Sequence, residues 1–149
     1  MVEIDIVLEK VLQAISKGSY DYAAELALSQ SRIEIVKSLI NLGAVINLKS
    51  YHRLRDAVIN RKYEVMEFLL ESGSDPLERS GSSFRFAAKT GDLKMFEILM
   101  RFVDKSSKAY HSMLNMALKV SYENSNANIM GFLLQLGADI SCKNYHVVR

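Results

Sequence analysis

The sequence predicts an all-α fold built from stacked helix pairs, and three observations support this prediction. Proline occurs once and glycine seven times in 149 residues, and such a scarcity of helix-breaking residues favours helices. Apolar residues recur at helical spacing in segments such as IEIVKSLI, with polar residues between them. A small residue also recurs at one constant interval along the chain, which indicates a repeat architecture. The residues at this interval are Ala27, Ala57, Ala87 and Ala117.

Residues 1–18 precede the first repeat, and we expect them to form a helix that caps the array. Because the exposed end of a stack of repeats must be covered, an apolar stripe in this helix should pack on the first unit. Gly18 would end the helix, and a helix that binds a partner is the alternative interpretation. The stripe consists of Ile4, Val7, Leu8, Val11, Leu12 and Ile15.

Residues 19–149 are predicted to form the array, with units at about 19–48, 49–78, 79–108 and 109–142 and a partial unit at 143–149. Each unit has a first helix that carries the recurring alanine and an apolar second helix that follows it. We expect these alanines to be buried, because a small side chain lets the first helix lie close to its neighbours. The fourth unit is four residues longer than the others, and the polar segment 121–128 is predicted to hold this insertion. The insertion would lengthen the loop between the two helices or extend the first helix.

The turns after the second helices also recur from unit to unit. Gly43, Gly73 and Gly137 come directly after these helices and are predicted to adopt the left-handed conformation that ends a helix. The corresponding segment of the third unit, RFVDKSSK, has no glycine, so we expect an irregular turn there.

Several of these segments resemble the ankyrin repeat. KTGDLKMFEILM and IEIVKSLINLGAVIN are similar to the second helix and turn of that family, and LLQLGADI is similar to its most recognisable phrase. The resemblance covers about residues 20–149 and implies an ankyrin-type solenoid of stacked helix pairs joined by finger loops. The family's usual opening, Thr-Pro-Leu-His, survives only in its apolar third residue, which we expect in the core. The residues at that position are Leu54, Phe84 and Leu114.

The repeat length departs from the usual pattern of the family. A period of about 30 residues, where the family usually has about 33, predicts short finger loops between the helix pairs. Units of this shorter length are similar to the ankyrin arrays of giant DNA viruses and some intracellular microbes.

Composition limits the cellular setting and the class of partner. A formal net charge of +2 is too small to indicate nucleic acid or an anionic membrane as the main partner. One cysteine excludes an internal disulfide and suits a reducing compartment. The start of the chain lacks the basic region of a signal peptide, and no apolar run approaches the ~20 residues that cross a bilayer. A cytoplasmic location is therefore expected, in the host cytoplasm if the origin is viral.

The titratable residues do not form a catalytic or metal-binding pattern. His52 and His146 occupy the same repeat position, and such positions lie ~10 Å apart in neighbouring units, too far to share one metal ion. Cys142 is expected in a turn, where no neighbour supplies an oxyanion site. We therefore expect no enzyme activity, no metal and no cofactor.

The resemblance implies that a partner binds the concave face, which consists of the finger loops and the exposed side of the first helices. The main hypothesis is a non-catalytic scaffold for an unidentified protein partner. The alternative is a nucleic-acid-binding module that uses the basic row Lys49, Arg79 and Lys143, and a third interpretation is that these cations are simply solvated. The candidate partner-binding residues are Lys49, Tyr51, Arg55, Arg79, Arg85, Lys89, Tyr110, Asn115, Lys143 and Tyr145.

The last eight residues repeat an earlier phrase of the sequence. CKNYHVVR at 142–149 matches LKSYHRLR at 48–55 in its lysine, tyrosine, histidine and arginine positions. We expect the chain to end inside a fifth first helix, either because the array is cut or because it ends on half a repeat. Self-association end to end through an uncapped C-terminus is a further expectation.

Overall fold

The computed structural model describes residues 5–138, and within this range the chain forms nine α-helices and no β-strand. The all-α prediction is therefore confirmed for the described part of the chain. The helices are α1 (Ile6–Ser16), α2 (Tyr20–Ser29), α3 (Ile33–Asn41), α4 (Tyr51–Ile59), α5 (Tyr63–Glu71), α6 (Glu78–Thr90), α7 (Leu93–Met100), α8 (Lys108–Glu123) and α9 (Ala127–Gln135). None of them is long and apolar enough to cross a membrane.

The helices pack in adjacent pairs, and the pairs pack on one another in chain order. The pairs are α2 with α3, α4 with α5, α6 with α7 and α8 with α9, and α1 packs on α2. The first helices α4, α6 and α8 contact one another in succession, and the second helices α3, α5 and α7 do the same. The stacked pairs therefore present one row of first helices and one row of second helices.

The recurring alanines lie in the core, as predicted. Ala27, Ala87 and Ala117 are 0% exposed and Ala57 is 2% exposed. The apolar position three residues before them is buried as well. Its residues Leu54, Phe84 and Leu114 are all at most 2% exposed.

The predicted left-handed glycines end the second helices. Gly43, Gly73 and Gly137 have φ values of 104°, 104° and 93°. After α3, the Ala44 N–H donates to the Leu39 carbonyl at 2.9 Å and the Gly43 N–H donates to the Ile40 carbonyl at 3.0 Å. These two bonds satisfy carbonyls that the end of a helix leaves without partners.

The first helices also end at residues in the left-handed conformation, which was not predicted from the sequence. Ser31, Arg61 and Ser125 have φ values of 60°, 54° and 57°, and Gly91 has a φ of 75°. After α4, the Lys62 N–H donates to the Ala57 carbonyl at 2.9 Å. Three of these turns are therefore made by residues with a side chain, which adopt this conformation at an energetic cost.

The turn after α7 is irregular, as predicted. No residue between Arg101 and Ser107, all of them described, has a positive φ. Phe102 and Val103 are half-buried and pack on the core instead.

The insertion in the fourth unit extends the first helix. Helix α8 has 16 residues, against nine in α4, and the turn from Asn124 to Asn126 is as short as the turn after α4. The Asn126 N–H donates to the Ser121 carbonyl at 2.8 Å, in the same way that Lys62 donates to Ala57. Four residues make about one helical turn, so the added residues leave the direction of the following chain almost unchanged.

Helix α1 buries only part of its predicted stripe. Val11 and Ala14 are buried, whereas Leu8 and Leu12 are 36% and 56% exposed. The expectation that the whole stripe packs inward is wrong, because α1 packs chiefly against α2 and this contact covers only one narrow face. The partial unit at 143–149, Ile4, Cys142 and His146 lie outside the described residues.

Candidate functional site

Three grooves follow one face of the described chain, each between the first helices of neighbouring pairs. Groove 1 lies between α2 and α4 and has a volume of about 290 Å³. Groove 2 lies between α4 and α6 and has a volume of about 180 Å³. Groove 3 lies between α6 and α8 and has a volume of about 280 Å³. The row of first helices is therefore an indented surface.

Groove 1 contains charges that neutralise one another. At its rim the Arg53 guanidinium donates from Nη1 to the Glu25 carboxylate at 2.9 Å, and its floor is apolar. The Lys62 ammonium crosses between the units and donates to the Ser29 carbonyl at 3.1 Å. Asp56 also lines this groove, so two cations and two anions share it.

Sequence reasoning missed Arg53, although a signal was present. Arg53 lies four residues before the recurring alanine, a position that is buried in the other three units and holds Ala23, Ser83 and Met113 there. An arginine at a core position needs an anion nearby. Glu25, in the preceding unit, supplies it.

Groove 2 has an apolar floor and a single charged residue. Val58 is buried, Phe86 is half-buried, and Ile59 is 45% exposed at the edge of the groove. Among the described residues that line groove 2, Arg55 alone carries a charge, and its side chain is exposed.

Groove 3 has the same arrangement one unit further along. Leu77, Met113 and Met116 line it together with small polar residues. Arg85 is exposed and is the sole charged residue among those that the structure places around this groove.

Arg55 and Arg85 occupy equivalent positions, two residues before the recurring alanines of α4 and α6. Within residues 5–138 neither of them forms an ion pair. Asn115, the equivalent residue of α8, is half-buried. The structure thus brings two of the predicted site residues onto one face with similar surroundings.

The predicted basic row is not continuous in the described residues. The Lys49 side chain lies over Gly73, where its Cε is 2.8 Å from the position that a Cβ on Gly73 would take. The Arg79 guanidinium carbon instead lies 4.6 Å from the centre of the Tyr51 ring. Both cations are exposed, but neither lines a groove, and Lys143 lies outside the described range.

The segment that carries Arg79 has an unusual backbone. Arg79, Ser80 and Gly81 have φ values of 57°, 56° and 74°, so the regular part of α6 begins after them. This left-handed turn precedes the regular helix, and it holds the Arg79 guanidinium over Tyr51.

The two candidate tyrosines that the structure describes pack against other residues of the chain. The Tyr51 hydroxyl lies 2.9 Å from the Ser82 Oγ and joins α4 to α6, and its ring is half-buried. Tyr110 is 5% exposed, so the expectation that it lies on the surface is wrong. Because α8 begins at Lys108, Tyr110 lies within the helix and faces the core, with His111 edge-on to its ring at 5.3 Å. Tyr145 lies outside the described residues.

Lys89 lies at the end of α6 and is exposed. The Asn126 side-chain amide donates to the Ala88 carbonyl at 2.6 Å and to the Lys89 carbonyl at 3.0 Å. The backbone of Lys89 thus joins the third and fourth units, while its side chain reaches solvent.

Two polar contacts between units shift pKa values. The Tyr63 hydroxyl donates to the Asp92 carboxylate at 2.7 Å, and this bond, together with burial, raises the pKa of Tyr63. The Asp5 carboxylate joins α1 to the start of α3. Its pKa is lowered most by the hydrogen bond from the Leu8 N–H and next by the hydrogen bond from the Arg32 guanidinium.

The two histidines that the structure describes lie on different helices, α4 and α8. His52 and His111 are both exposed, and each lies beside a tyrosine ring. Within residues 5–138 no group of three or more histidine, cysteine, aspartate or glutamate side chains is placed to hold a metal ion.

No protein-family model matches this chain, and no curated protein matches it either.

Proposed function

We propose that this chain is an ankyrin-type solenoid that acts as a non-catalytic scaffold and binds a protein partner on its row of first helices. The observation that carries this proposal is the series of three grooves between successive first helices, two of which hold an arginine that forms no ion pair with any residue in the range 5–138. The grooves have apolar floors, and apolar pockets with a few polar groups are typical of binding surfaces.

The repeat arrangement supports the architectural part of the proposal. Helix pairs with buried alanines at a constant spacing contact their neighbours in chain order. Such an array has no central core that could enclose a substrate, and it offers an extended surface instead. The resemblance of the second helices and their turns to ankyrin repeats points the same way.

Nucleic acid is the weaker candidate for this surface. Proteins that bind nucleic acid through phosphates use several cations along one track. Here Lys49 and Arg79 pack on other parts of the chain, and the formal net charge is +2. Two arginines in separate grooves suit a partner with a few localised anions better than a continuous polyanion.

The proposal is tested by capturing partners from a cell lysate on the immobilised chain and identifying them by mass spectrometry. The wild type is compared with the double variant Arg55→Glu and Arg85→Glu, which should lose the captured protein. Because both side chains are exposed, each change should alter the free energy of unfolding by only ~0.5 kcal/mol.

A matched control reverses two cations that line none of grooves 1, 2 and 3. Lys10 in α1 and Lys105 after α7 are exposed, and neither forms an ion pair among the described residues. The double variant Lys10→Glu and Lys105→Glu has the same net charge as the test variant and should keep the partner. Retention by the arginine variant together with loss by the lysine variant would contradict the proposed surface.

A further inference from the structure

We propose that the partner docks as an extended acidic segment, with two carboxylates three residues apart that pair with Arg55 and Arg85. This inference rests on the proposed function and specifies the chemistry of the partner. An apolar side chain beside each carboxylate would enter groove 2 or groove 3.

Charge is the first argument for an acidic partner. Grooves 2 and 3 each hold one cation and no anion among the described residues that line them. Groove 1 differs, since the Glu25–Arg53 pair, Asp56 and Lys62 balance one another there. A segment that crosses grooves 2 and 3 therefore meets uncompensated positive charge at two points.

Spacing is the second argument. Arg55 and Arg85 occupy the same position in α4 and α6, and these two helices contact one another. Packed helices lie about 8–10 Å apart, so the two arginines should repeat at about that distance. A segment in the extended polyproline II conformation advances about 3.1 Å per residue with three residues per turn, so side chains three residues apart lie on one side of the segment, about 9 Å from each other. Carboxylates at positions i and i+3 of an extended segment match this repeat.

The groove floors are the third argument. Val58 and Phe86 form the floor of groove 2, and Met113 and Met116 line groove 3. In the polyproline II conformation every third side chain points to the same side, so only some side chains of the segment can enter the grooves. Groove 3 should accept varied apolar side chains, because methionine adapts its shape.

The test uses short synthetic peptides with one apolar residue beside each of two glutamates. The spacing of the glutamates is varied while the length and composition stay constant, and binding is measured by fluorescence anisotropy. The i, i+3 peptide should bind most tightly, and replacing both glutamates by glutamine should weaken binding about tenfold, because hydrogen bonds between charged partners are about twice as strong as neutral ones.

The spacing series also separates an extended occupant from a helical one. A helix advances about 1.5 Å per residue, so a helical segment would need carboxylates about seven residues apart to span the same distance. A clear preference for i, i+7 would overturn the extended conformation. If peptides of every glutamate spacing bound equally tightly, the proposed pairing of two carboxylates with Arg55 and Arg85 would be wrong.

Charge exchange identifies which glutamate meets which arginine. A peptide in which lysine replaces the first glutamate should bind the wild type more weakly. Its binding should be restored with one of the two single variants, Arg55→Glu or Arg85→Glu. Replacing the second glutamate should restore binding to the other variant, and the assignment gives the direction of the peptide. Failure of both exchanges would contradict the proposal, while the variant Lys10→Glu with Lys105→Glu should bind like the wild type.

Two further outcomes separate this inference from the proposed function. If a captured partner depends on Arg55 and Arg85 but no acidic peptide shows a preferred spacing, the inference is wrong and the scaffold function stands. If the captured partner ignores both arginines, the proposed surface itself is wrong. A single-stranded oligonucleotide serves as the third probe, and tighter binding of it than of any peptide would overturn the acidic segment.

Discussion

At the scale of single residues, the position just before each second helix joins neighbouring units. Asp92 caps α7 by accepting the Met95 N–H at 3.0 Å and also accepts the Tyr63 hydroxyl of the preceding unit. Asn126 and Lys62, at the same place before α9 and α5, donate to backbone carbonyls at the ends of α6 and α2. The residue types differ, so the sequence alone did not reveal that this position links the units.

The Tyr63–Asp92 bond predicts a measurable change in tyrosine ionisation. Asp92→Asn removes the anionic acceptor, so the pKa of Tyr63 should fall towards its ordinary value of about 10. Because folding raises the pKa of Tyr63, the bond stabilises the folded state fully when the pH is below the pKa of Tyr63 in the unfolded chain. This stabilisation is lost as the pH rises through the pKa of Tyr63 in the folded state. Ultraviolet titration of the wild type, Tyr63→Phe and Asp92→Asn isolates this one tyrosine.

Asp75→Asn is the control, because among the described residues the Asp75 carboxylate accepts only from its own loop, at the Leu77 N–H. Its titration curve should match that of the wild type. A curve for Asp92→Asn that also matches the wild type would show that the bond to Tyr63 does not form in solution.

A buried alanine should not tolerate a larger side chain. Ala87 is 0% exposed in the last turn of α6, so Ala87→Leu should lower the free energy of unfolding by about 1–3 kcal/mol through overpacking. Ala127→Leu adds the same atoms at an exposed position of α9 and should change it by only ~0.5 kcal/mol. Urea denaturation of both variants provides the comparison, and similar losses would contradict the close approach of α6 to its neighbours.

At the scale of elements, the length of α8 was left open by the sequence. The constant spacing of the alanines located the insertion, but a polar segment can form either a loop or the exposed side of a helix. The structure extends α8 by about one turn and buries Ser121, whose Oγ donates to the Leu118 carbonyl at 2.9 Å. Ser121 thereby takes the place at the helix end that Ala57 has in α4, while Ala117 remains in the core.

The added turn should be removable as a unit. Deleting residues 120–123 restores the spacing of the other units and rotates the following chain by only about 40°, so the protein should stay helical and unfold cooperatively. Deleting only residues 122–123 rotates it by about 160° and should misplace the buried side chains Ile129 and Leu133. Circular dichroism during thermal unfolding checks both, and a deletion of four residues that unfolds the chain would contradict the register.

At the scale of the whole molecule, the sequence predicted the buried residues better than the surface. The alanine spacing and the apolar second helices predicted the buried residues, because the same packing recurs in each unit. The surface differs between units because of exceptions to the repeat, such as the Glu25–Arg53 pair in groove 1 and the left-handed turn that places Arg79 over Tyr51. Those contacts join residues from different units, and a pattern within one unit does not specify them.

Docking on the first helices is tested most directly by amide hydrogen exchange of the chain alone and bound to its captured partner. Backbone amides that a partner covers or stabilises exchange more slowly. We predict slower exchange in α4, α6 and α8, with little change in the second helices α3, α5 and α7. Protection confined to α3, α5 and α7 would contradict the proposed surface, because a partner would then bind the opposite row of helices.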